Sequence, residues 1–328
     1  MTASTSAAQT TQATQRLSIE APAKFNVFLS VASPARADGY HDIASLVVPL
    51  TLHDTLTVET GLEQAEALCF GCTDPSLETP DNLVVKAANR FLADLEKTHP
   101  TLHAHPMTLH LTKRIPTQAG LGGGSTDAAA TLIALNLLHG DPFSHADLLA
   151  IGAALGADVP CCLAGGLVWM EGRGERITPV SLDPDAFEAL SATPLLLVKP
   201  PSAMATAEAY TLLDAKLNAK PDTARPFLRP PPFDPQHPPK VWPDWDSLLH
   251  NDFHNPVFAH LDDLRTLARV CTEVGLARYQ LSGSGSAVVI FLDETQAEAQ
   301  TTALTHHLKQ AVGHTFAQWF LCPVHPAP

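Results

Sequence analysis

Residues 116–126, PTQAGLGGGST, set Gly120, Gly122, Gly123 and Gly124 ahead of two hydroxyls, Ser125 and Thr126, with Asp127 next in line. Glycines clear side chains from where a ligand approaches the backbone and permit the positive dihedrals that turn successive amides inward. An alanine-rich helix is expected to begin near Ser125, and its free N–H groups and dipole make the place favourable for an anion such as phosphate. The hydroxyls can cap that helix, donate to phosphate oxygens or ligate magnesium. Asp127 either sits in the first turn for dipole reasons or touches the metal. No lysine precedes the hydroxyl pair, so the stretch is not the familiar P-loop. Several strands precede it and no acidic residue follows a next strand at a suitable place, so it departs from the dinucleotide fingerprint as well.

Other residues have the chemistry to handle a proton and a developing charge. Asp158, in GADVP, lies between a helix stopped by Gly156 and the proline at 160, a location that suits a fixed carboxylate in a cleft. Lys24 sits inside an apolar strand, where a cation is costly without a partner. Each has a plain structural reading too, as a helix-end residue and as a chain that snorkels to solvent. Asn26, two positions from Lys24, projects to the same side of the strand. Tyr40 and His41 follow an Asp38-Gly39 turn and offer flat rings that stack on a base. A second glycine loop, residues 282–286, offers another nest of amides, a flap over a cleft, or a tight turn between a helix and a strand.

These residues need elements to hold them. RLSIEAPAKFNVFLSVAS at 16–33 alternates apolar runs with polar positions as a half-buried strand pair does, and SLVVPLTLHDTLTVE at 45–59 repeats the signal. NLVVKAANRFLADLE at 82–96 puts Leu83, Ala87, Phe91 and Leu95 on one helical face. MTLHLTKRI at 107–115 alternates as a strand that delivers the chain into the first glycine loop. SHADLLAIGAALGA at 144–157 predicts a helix capped by Ser144 and stopped by Gly156. LLLVKP at 195–200 predicts a buried strand, followed by a helix from near Ala203. The proline density of residues 221–242 forbids a helix interior or central strand and predicts an extended surface excursion. Beyond it the patterns predict a helix over 257–274, a strand over 287–292 and a helix over 295–311.

At 328 residues, with 45% hydrophobic and 16% charged, the chain can bury a sizeable core and exceeds the roughly 100–200 residues of one domain, so two are expected. A net charge of -14 repels polyanions and no basic run tracks a phosphate backbone, which argues against nucleic acid. Of six cysteines only Cys69 and Cys72 have a ligand-like spacing, without a second pair to complete a zinc site. Free thiols in a reducing cytoplasm are the expectation. Residues 1–16 are small and polar, lack the features of a secretory signal and read as a disordered tail. No apolar run approaches the roughly 18–20 residues that cross a bilayer, so no membrane is expected.

The loop resembles the phosphate-binding signature of the GHMP kinase superfamily, Pro-x-x-x-Gly-Leu-Gly-Ser/Gly-Ser/Gly-Ser. Further segments narrow the resemblance to the branch of the non-mevalonate isoprenoid pathway whose acceptor is a cytidyl-linked alcohol. They are APAKFNVFLSV at 21–31, RADGYHDIASL at 36–46, LGADVPCCLAGG at 155–166 and LSGSGSAVVIF at 281–291. KPPSAMATAEAY at 199–210 and NDFHNPV at 251–257 are similar as well, and together they cover most of the chain from residue 17 onward, in the family's order. Thr126 departs from the common serine while keeping a hydroxyl, and the tail and proline-rich excursion have no counterpart in the family pattern.

The resemblance implies a two-domain α+β GHMP kinase fold with the active site between domains. An N-terminal α/β domain with the Gly-rich phosphate loop would span residues 17–180, and a ferredoxin-like C-terminal α/β domain residues 181–328. It implies ATP as phosphoryl donor, with Mg2+, and the 2-hydroxyl of 4-diphosphocytidyl-2-C-methyl-D-erythritol as acceptor. Asp158 becomes the proton acceptor for that hydroxyl and Lys24 the cation that orients it. Carboxylates are weak bases, so the proton would move late, as phosphoryl transfer proceeds. The ATP phosphates fall to the stretch from Pro116 to Thr126, with Thr117, Gln118, Ala119 and Leu121 beside the glycines, and Ser125 reaches magnesium. Asn82 and Leu83 lie near the adenine, with Lys113 a further candidate. Asn26 bonds substrate or carboxylate, and Tyr40 and His41 lie against the cytosine ring. A monomer or homodimer is expected. The rival readings are a kinase for another small alcohol, such as homoserine or mevalonate, and a non-catalytic nucleotide-binding module.

Overall fold

The computed structural model describes residues 15–61, 68–102, 106–219, 234–235, 237 and 244–328. The expected tail, apart from Gln15 and Arg16, and the expected proline-rich excursion, apart from residues 234, 235 and 237, lie outside them. The first half of the chain runs β1 (Gln15–Val31), β2 (Ile43–Thr60), β3 (Leu68–Cys72), α1 (Leu83–Thr98), β4 (Met107–Thr112), α2 (Gly123–Leu138), α3 (His145–Leu155), α4 (Val159–Ala164), β5 (Val168–Gly172) and β6 (Arg176–Pro179). The second half runs α5 (Pro184–Ala192), β7 (Leu195–Lys199), α6 (Thr206–Ala219), α7 (Trp245–Leu248), β8 (His250–Asn251), α8 (His254–His260), α9 (Asp262–Glu273), β9 (Tyr279–Leu281), β10 (Val288–Phe291), α10 (Ala297–Val312) and β11 (Phe320–Val324).

Two sheets divide the chain. The first has the order β3-β4-β2-β1-β8, with β5 pairing β2 and β6 pairing β5. The second has the order β11-β7-β10-β9, all neighbours antiparallel. Numbered by appearance its strands run 4-1-3-2, the ferredoxin-like arrangement, with helices in the two crossovers. A short strand, β8, returns from the second half to pair in parallel with β1 at Phe28 and Leu29.

Alternation along the strands sends side chains to three apolar layers. Leu195 and Leu197 of β7, with Val289 and Phe291 of β10, face Phe25, Val48 and Trp169 of the first sheet. Their neighbours Leu196, Val198, Val288 and Ile290 face the opposite way, onto Leu264, Leu267 and Val270 of α9 and Leu304 and Leu308 of α10. This two-sided burial is why LLLV carries no polar position. The third layer packs α1, α2 and α3 on Leu56, Val58, Leu109 and Leu111. Fully buried residues such as Phe25 and Phe91 each contribute about 1.5–3 kcal/mol relative to exposure.

Several sequence expectations change in three dimensions. The strand pair expected at 16–33 is one continuous strand, opening at Gln15 and pairing with β2 along its length. Its register shifts at Pro22/Lys24 and again at Asn26/Phe28, the first where proline supplies no ladder donor. The helix expected over 257–274 is two, broken at Leu261, whose extended backbone (φ -94, ψ 120) cannot continue a helix. Asp262 and Asp263 restart it, placing negative charge at the new N-terminus. The helix after β7 begins at Thr206 rather than near Ala203. Residues 282–286 join two strands, β9 and β10, rather than a helix and a strand. The helices at 82–96 and 144–157 form where expected, the latter with a full capping box between Ser144 and Asp147 and with Gly156 at its end.

The first glycine loop is anchored at both ends by a buried ionic cluster. Asp54 of β2, fully buried, accepts from the backbone N–H groups of Arg114 and Ile115 and from the Lys113 ammonium. That ammonium also donates to Asp127 of α2 at 2.8 Å. Two carboxylates thus share one cation beneath the loop. Burial works against the Lys113 charge, but Asp127 and Asp54 outweigh it and hold the ammonium above its ordinary pKa. Burial, followed by the Asp54 charge, raises the Asp127 carboxyl to about 7 against the pull of Lys113.

Between the ordinary carboxylate value and pH 7 the folded protein therefore binds a proton at Asp127 that the unfolded chain has released, and stability falls as pH rises through that window. Chemical denaturation of wild type and Asp127→Asn from pH 4 to 8 reads this directly. The stability difference, wild type minus variant, should decline between pH 4 and 7 and then level off; parallel curves would show that Asp127 does not titrate there.

Candidate active site

Helix α2 opens at Gly123, two residues before the expected start near Ser125, because Gly122 takes the left-handed conformation of its N-cap (φ 68). Neither hydroxyl caps the helix. Ser125 falls third in the first turn and lines the cleft, whereas Thr126 is buried and does not. The phosphate-binding stretch expected from Pro116 to Thr126 therefore lines the cleft from Pro116 through Ser125. The walls enclose about 540 Å³.

The second glycine loop packs directly on the first. Ala287 N–H donates to Ala119 O at 3.0 Å and Ser282 Oγ donates to Gly120 O at 3.1 Å. A Cβ on Gly120 would lie 2.0 Å from Ser282 O, so only glycine permits the contact. Asn251, buried at the end of β8, holds the second loop from behind, its amide donating to Leu281 O and Gly283 O at 2.8 Å each.

Lys24 lies where the loops meet. Its backbone N–H donates to Leu121 O at 2.9 Å, and a Cβ on Gly122 would strike its side chain at 2.8 Å. The ammonium donates to Asn26 Oδ1 at 2.8 Å and ion-pairs with Asp158 at 3.3 Å. Asn26 Nδ2 in turn donates to Ser45 Oγ at 2.8 Å. The Lys24 side chain is 8% exposed and that of Asp158 35%, so the pair joins a buried cation to a carboxylate open to the cleft. Asp158 occupies the break between α3 and α4, where Pro160 starts the new helix.

A second cavity of about 680 Å³ adjoins the first, and Ser125, Asp158 and Tyr210 line both. Tyr40 and His41 do not stack as a pair. His41 is buried, with Nδ1–H donating to Ala32 O at 2.6 Å, Nε2 3.3 Å from Asp214, and its ring stacked on Tyr210 at 4.9 Å. Tyr40 is exposed at the rim under the Arg173 guanidinium, 5.1 Å from the ring centre. Arg173 is the sole arginine or lysine among the described residues lining this cavity. Burial, then the charges of Asp158 and Asp214, raises the Tyr210 phenol to about 12, so it stays neutral.

The adenine-side candidates separate. Leu83 lines the first cavity, but the Asn82 side chain is occupied as the N-cap of α1, accepting from Val84 N–H and donating to Leu77 O at 2.9 Å each. Lys113 lines the cleft, and its ammonium is bonded to Asp54 and Asp127. Asp127 faces that lysine in the interior and lines neither cavity. Sequence reasoning missed Tyr210, Asp54 and Ser45. Tyr210 has a weak local signal as a lone aromatic in TAEAYTLL and Ser45 as a lone polar residue in the apolar run of β2, while Asp54 sits among other polar residues of that strand; the partners of all three are remote in sequence.

With this geometry in hand, comparison with known proteins is specific. Residues 82–166 match the GHMP kinases N terminal domain. The 4-diphosphocytidyl-2-C-methyl-D-erythritol kinase of Anaeromyxobacter sp. (strain Fw109-5) is 38% identical over 278 residues, 83% of this chain and 81% of that relative. The like-named kinase of Salinibacter ruber (strain DSM 13855 / M31) is 36% identical, over 86% of this chain and 92% of the relative. A crystal structure of 4-(cytidine 5'-diphospho)-2C-methyl-D-erythritol kinase superposes with a TM-score of 0.64 at 27% identity, covering 95% of this chain and 100% of that one. Mevalonate kinase from Methanococcus jannaschii, at 14% identity and a TM-score of 0.62 over 96% of this chain and 99% of that one, shares the fold. Two glycine loops closed on a buried lysine, a carboxylate between two cavities and these similarities converge: the chain belongs to the 4-diphosphocytidyl-2-C-methyl-D-erythritol kinase family of GHMP kinases.

Proposed function

We propose that this cleft transfers the γ-phosphate of ATP to the 2-hydroxyl of 4-diphosphocytidyl-2-C-methyl-D-erythritol, a step in non-mevalonate synthesis of isoprenoid precursors. The observation that carries the reading is Asp158, which lines both cavities and ion-pairs with Lys24 at their junction. In this reading ATP lies along the first glycine loop with its γ-phosphate toward Ser125, and the cytidyl alcohol fills the second cavity with its hydroxyl toward Asp158. Residues 17–180 supply the nucleotide side and residues 181–328 the second domain that closes on it.

Each group then has a physical task. Amides at the start of α2 and the helix dipole hold phosphate oxygens. The Lys24 ammonium, fixed by Asn26 and Asp158, stabilises charge that grows on the transferring group. Asp158 accepts the hydroxyl proton as the phosphorus–oxygen bond forms. Magnesium, arriving with ATP, would offset phosphate charge that an acidic chain cannot neutralise alone. The donor set fits: Ser125 offers a hydroxyl in the cleft, and phosphates and water complete the shell such an ion prefers. Asp127 is turned to Lys113 and takes no part in holding it. Tyr40, His41 and Tyr210 present aromatic surface for the cytosine, and Arg173 gives the substrate's diphosphate a cation at the rim. The six free thiols fit a reducing cytoplasm as the site of reaction.

Purified protein with magnesium and ATP should phosphorylate the cytidyl alcohol and leave homoserine and mevalonate unmodified; the reverse preference would sink the assignment. Replacing Asp158 with Asn should lower kcat by about 10²–10⁴-fold with the fold intact, the range for loss of a positioned proton acceptor. Unchanged turnover would make the residue structural. Removing the rings of Tyr40 and His41 together should raise KM for the cytidyl alcohol by roughly 10–100-fold, as base stacking is worth about 1–3 kcal/mol, while KM for ATP moves less than about twofold.

A further inference from the structure

An ammonium only donates hydrogen bonds, so the Asn26 atom facing Lys24 at 2.8 Å has to be the amide oxygen. Nothing within Asn26 enforces that choice. The two ends of a carboxamide have nearly the same shape, and a half-turn would aim an NH2 group at the ammonium. The ammonium favours the oxygen, and contacts on the far side of the amide fix the same orientation. Phe28 O only accepts, so the Ser45 hydroxyl gives it its proton, at 2.7 Å. The same Ser45 oxygen is left as an acceptor and takes Asn26 Nδ2 at 2.8 Å. Oδ1 is thereby turned to Lys24, and Lys24 to Asp158.

We propose that Ser45 is a positioning residue for the phosphoryl transfer: by directing the Asn26 amide it holds Lys24 in register with Asp158. Ser45 is fully buried and lines neither cavity, so it acts through Asn26 and not by contact with substrate. The backbone around Asn26 is secured separately, since Gln280 Nε2 donates to Asn26 O at 2.9 Å and Val27 O at 2.8 Å. Loss of the Ser45 hydroxyl therefore frees a side chain, not the strand. The register shift between Asn26 and Phe28 and the pairing of Leu29 with Ser45 bring the carbonyl, the hydroxyl and the amide together. The inference rests on the kinase reading above.

Its test is the kinetics of Ser45→Ala and of Ser45→Cys, the second of which keeps the volume but is a weak donor and acceptor. Both should lose about tenfold in kcat, roughly 1.4 kcal/mol, with KM for ATP and for the cytidyl alcohol within about twofold and the melting temperature little changed. Ser45→Thr keeps the hydroxyl and should retain kcat within about threefold. In an Asn26→Asp background, where either carboxylate oxygen can accept, Ser45→Ala should cost less than about twofold. A kcat for Ser45→Ala within twofold of wild type overturns the proposal. So does an equal loss in both backgrounds, or, where Asn26→Asp has no measurable turnover, a loss in Ser45→Thr equal to that in Ser45→Ala. Absence of turnover in the wild type would instead overturn the activity assignment.

Discussion

A lysine ammonium buried in a strand must be surrounded by acceptors or it neutralises, and the architecture around Lys24 follows from that requirement. Asn26 approaches from the same strand, Asp158 from the break between two helices, and both glycine loops close to within van der Waals reach of its side chain. A Cβ on Gly122 would meet its stem at 2.8 Å, and one on Gly283 would lie 3.3 Å from its nitrogen. The glycines so conspicuous in both loops thus do two things. They let backbone from both halves of the chain pack around one cation, and on the proposed reading they free backbone for phosphate.

The same logic governs charge in the rest of the site. On the proposed reading, a chain of net charge -14 has to accommodate a nucleoside triphosphate and a nucleoside diphosphate. It does so by placing few cations at chosen points and by using fixed dipoles. Lys24 stands at the junction of the cavities, Arg173 at the rim of one, and the N-terminus of α2 faces the other. Lys113 is spent differently. Held between Asp54 and Asp127, it ties strand β2 to helix α2 across the base of the first glycine loop, so that both ends of the loop are fixed by one ammonium.

Much of the local structure was legible. The period of Leu83, Ala87, Phe91 and Leu95 marks α1, Ser144 and Gly156 bracket α3, and the apolar run of β7 reads as a buried strand. The loop announced an anion site without a Walker lysine, and family motifs pointed to Lys24 and Asp158. What local patterns could not resolve was direction. Ser125 and Thr126 look equivalent in sequence, but the helix starts at Gly123 and its periodicity turns one to the cleft and the other to the core. Tyr40 and His41 are adjacent, and the turn sends them to different partners, Arg173 and Tyr210. Neighbours in the chain need not be neighbours in chemistry.

The sequence by itself determined most of the local conformations and the family. Glycine dihedrals, helix caps and hydrophobic period depend on residues within a few positions of one another, and the motifs carry the family. Only the tertiary structure decided which groups act on which. Ser45, Asn26, Lys24 and Asp158 form a directed series of contacts across three separated segments, and Asp54, Lys113 and Asp127 another. Hydrogen bonds and ion pairs act over a few ångströms, and the distances between these segments are fixed by how two sheets pack and where a bulge shifts the register, which no local pattern encodes.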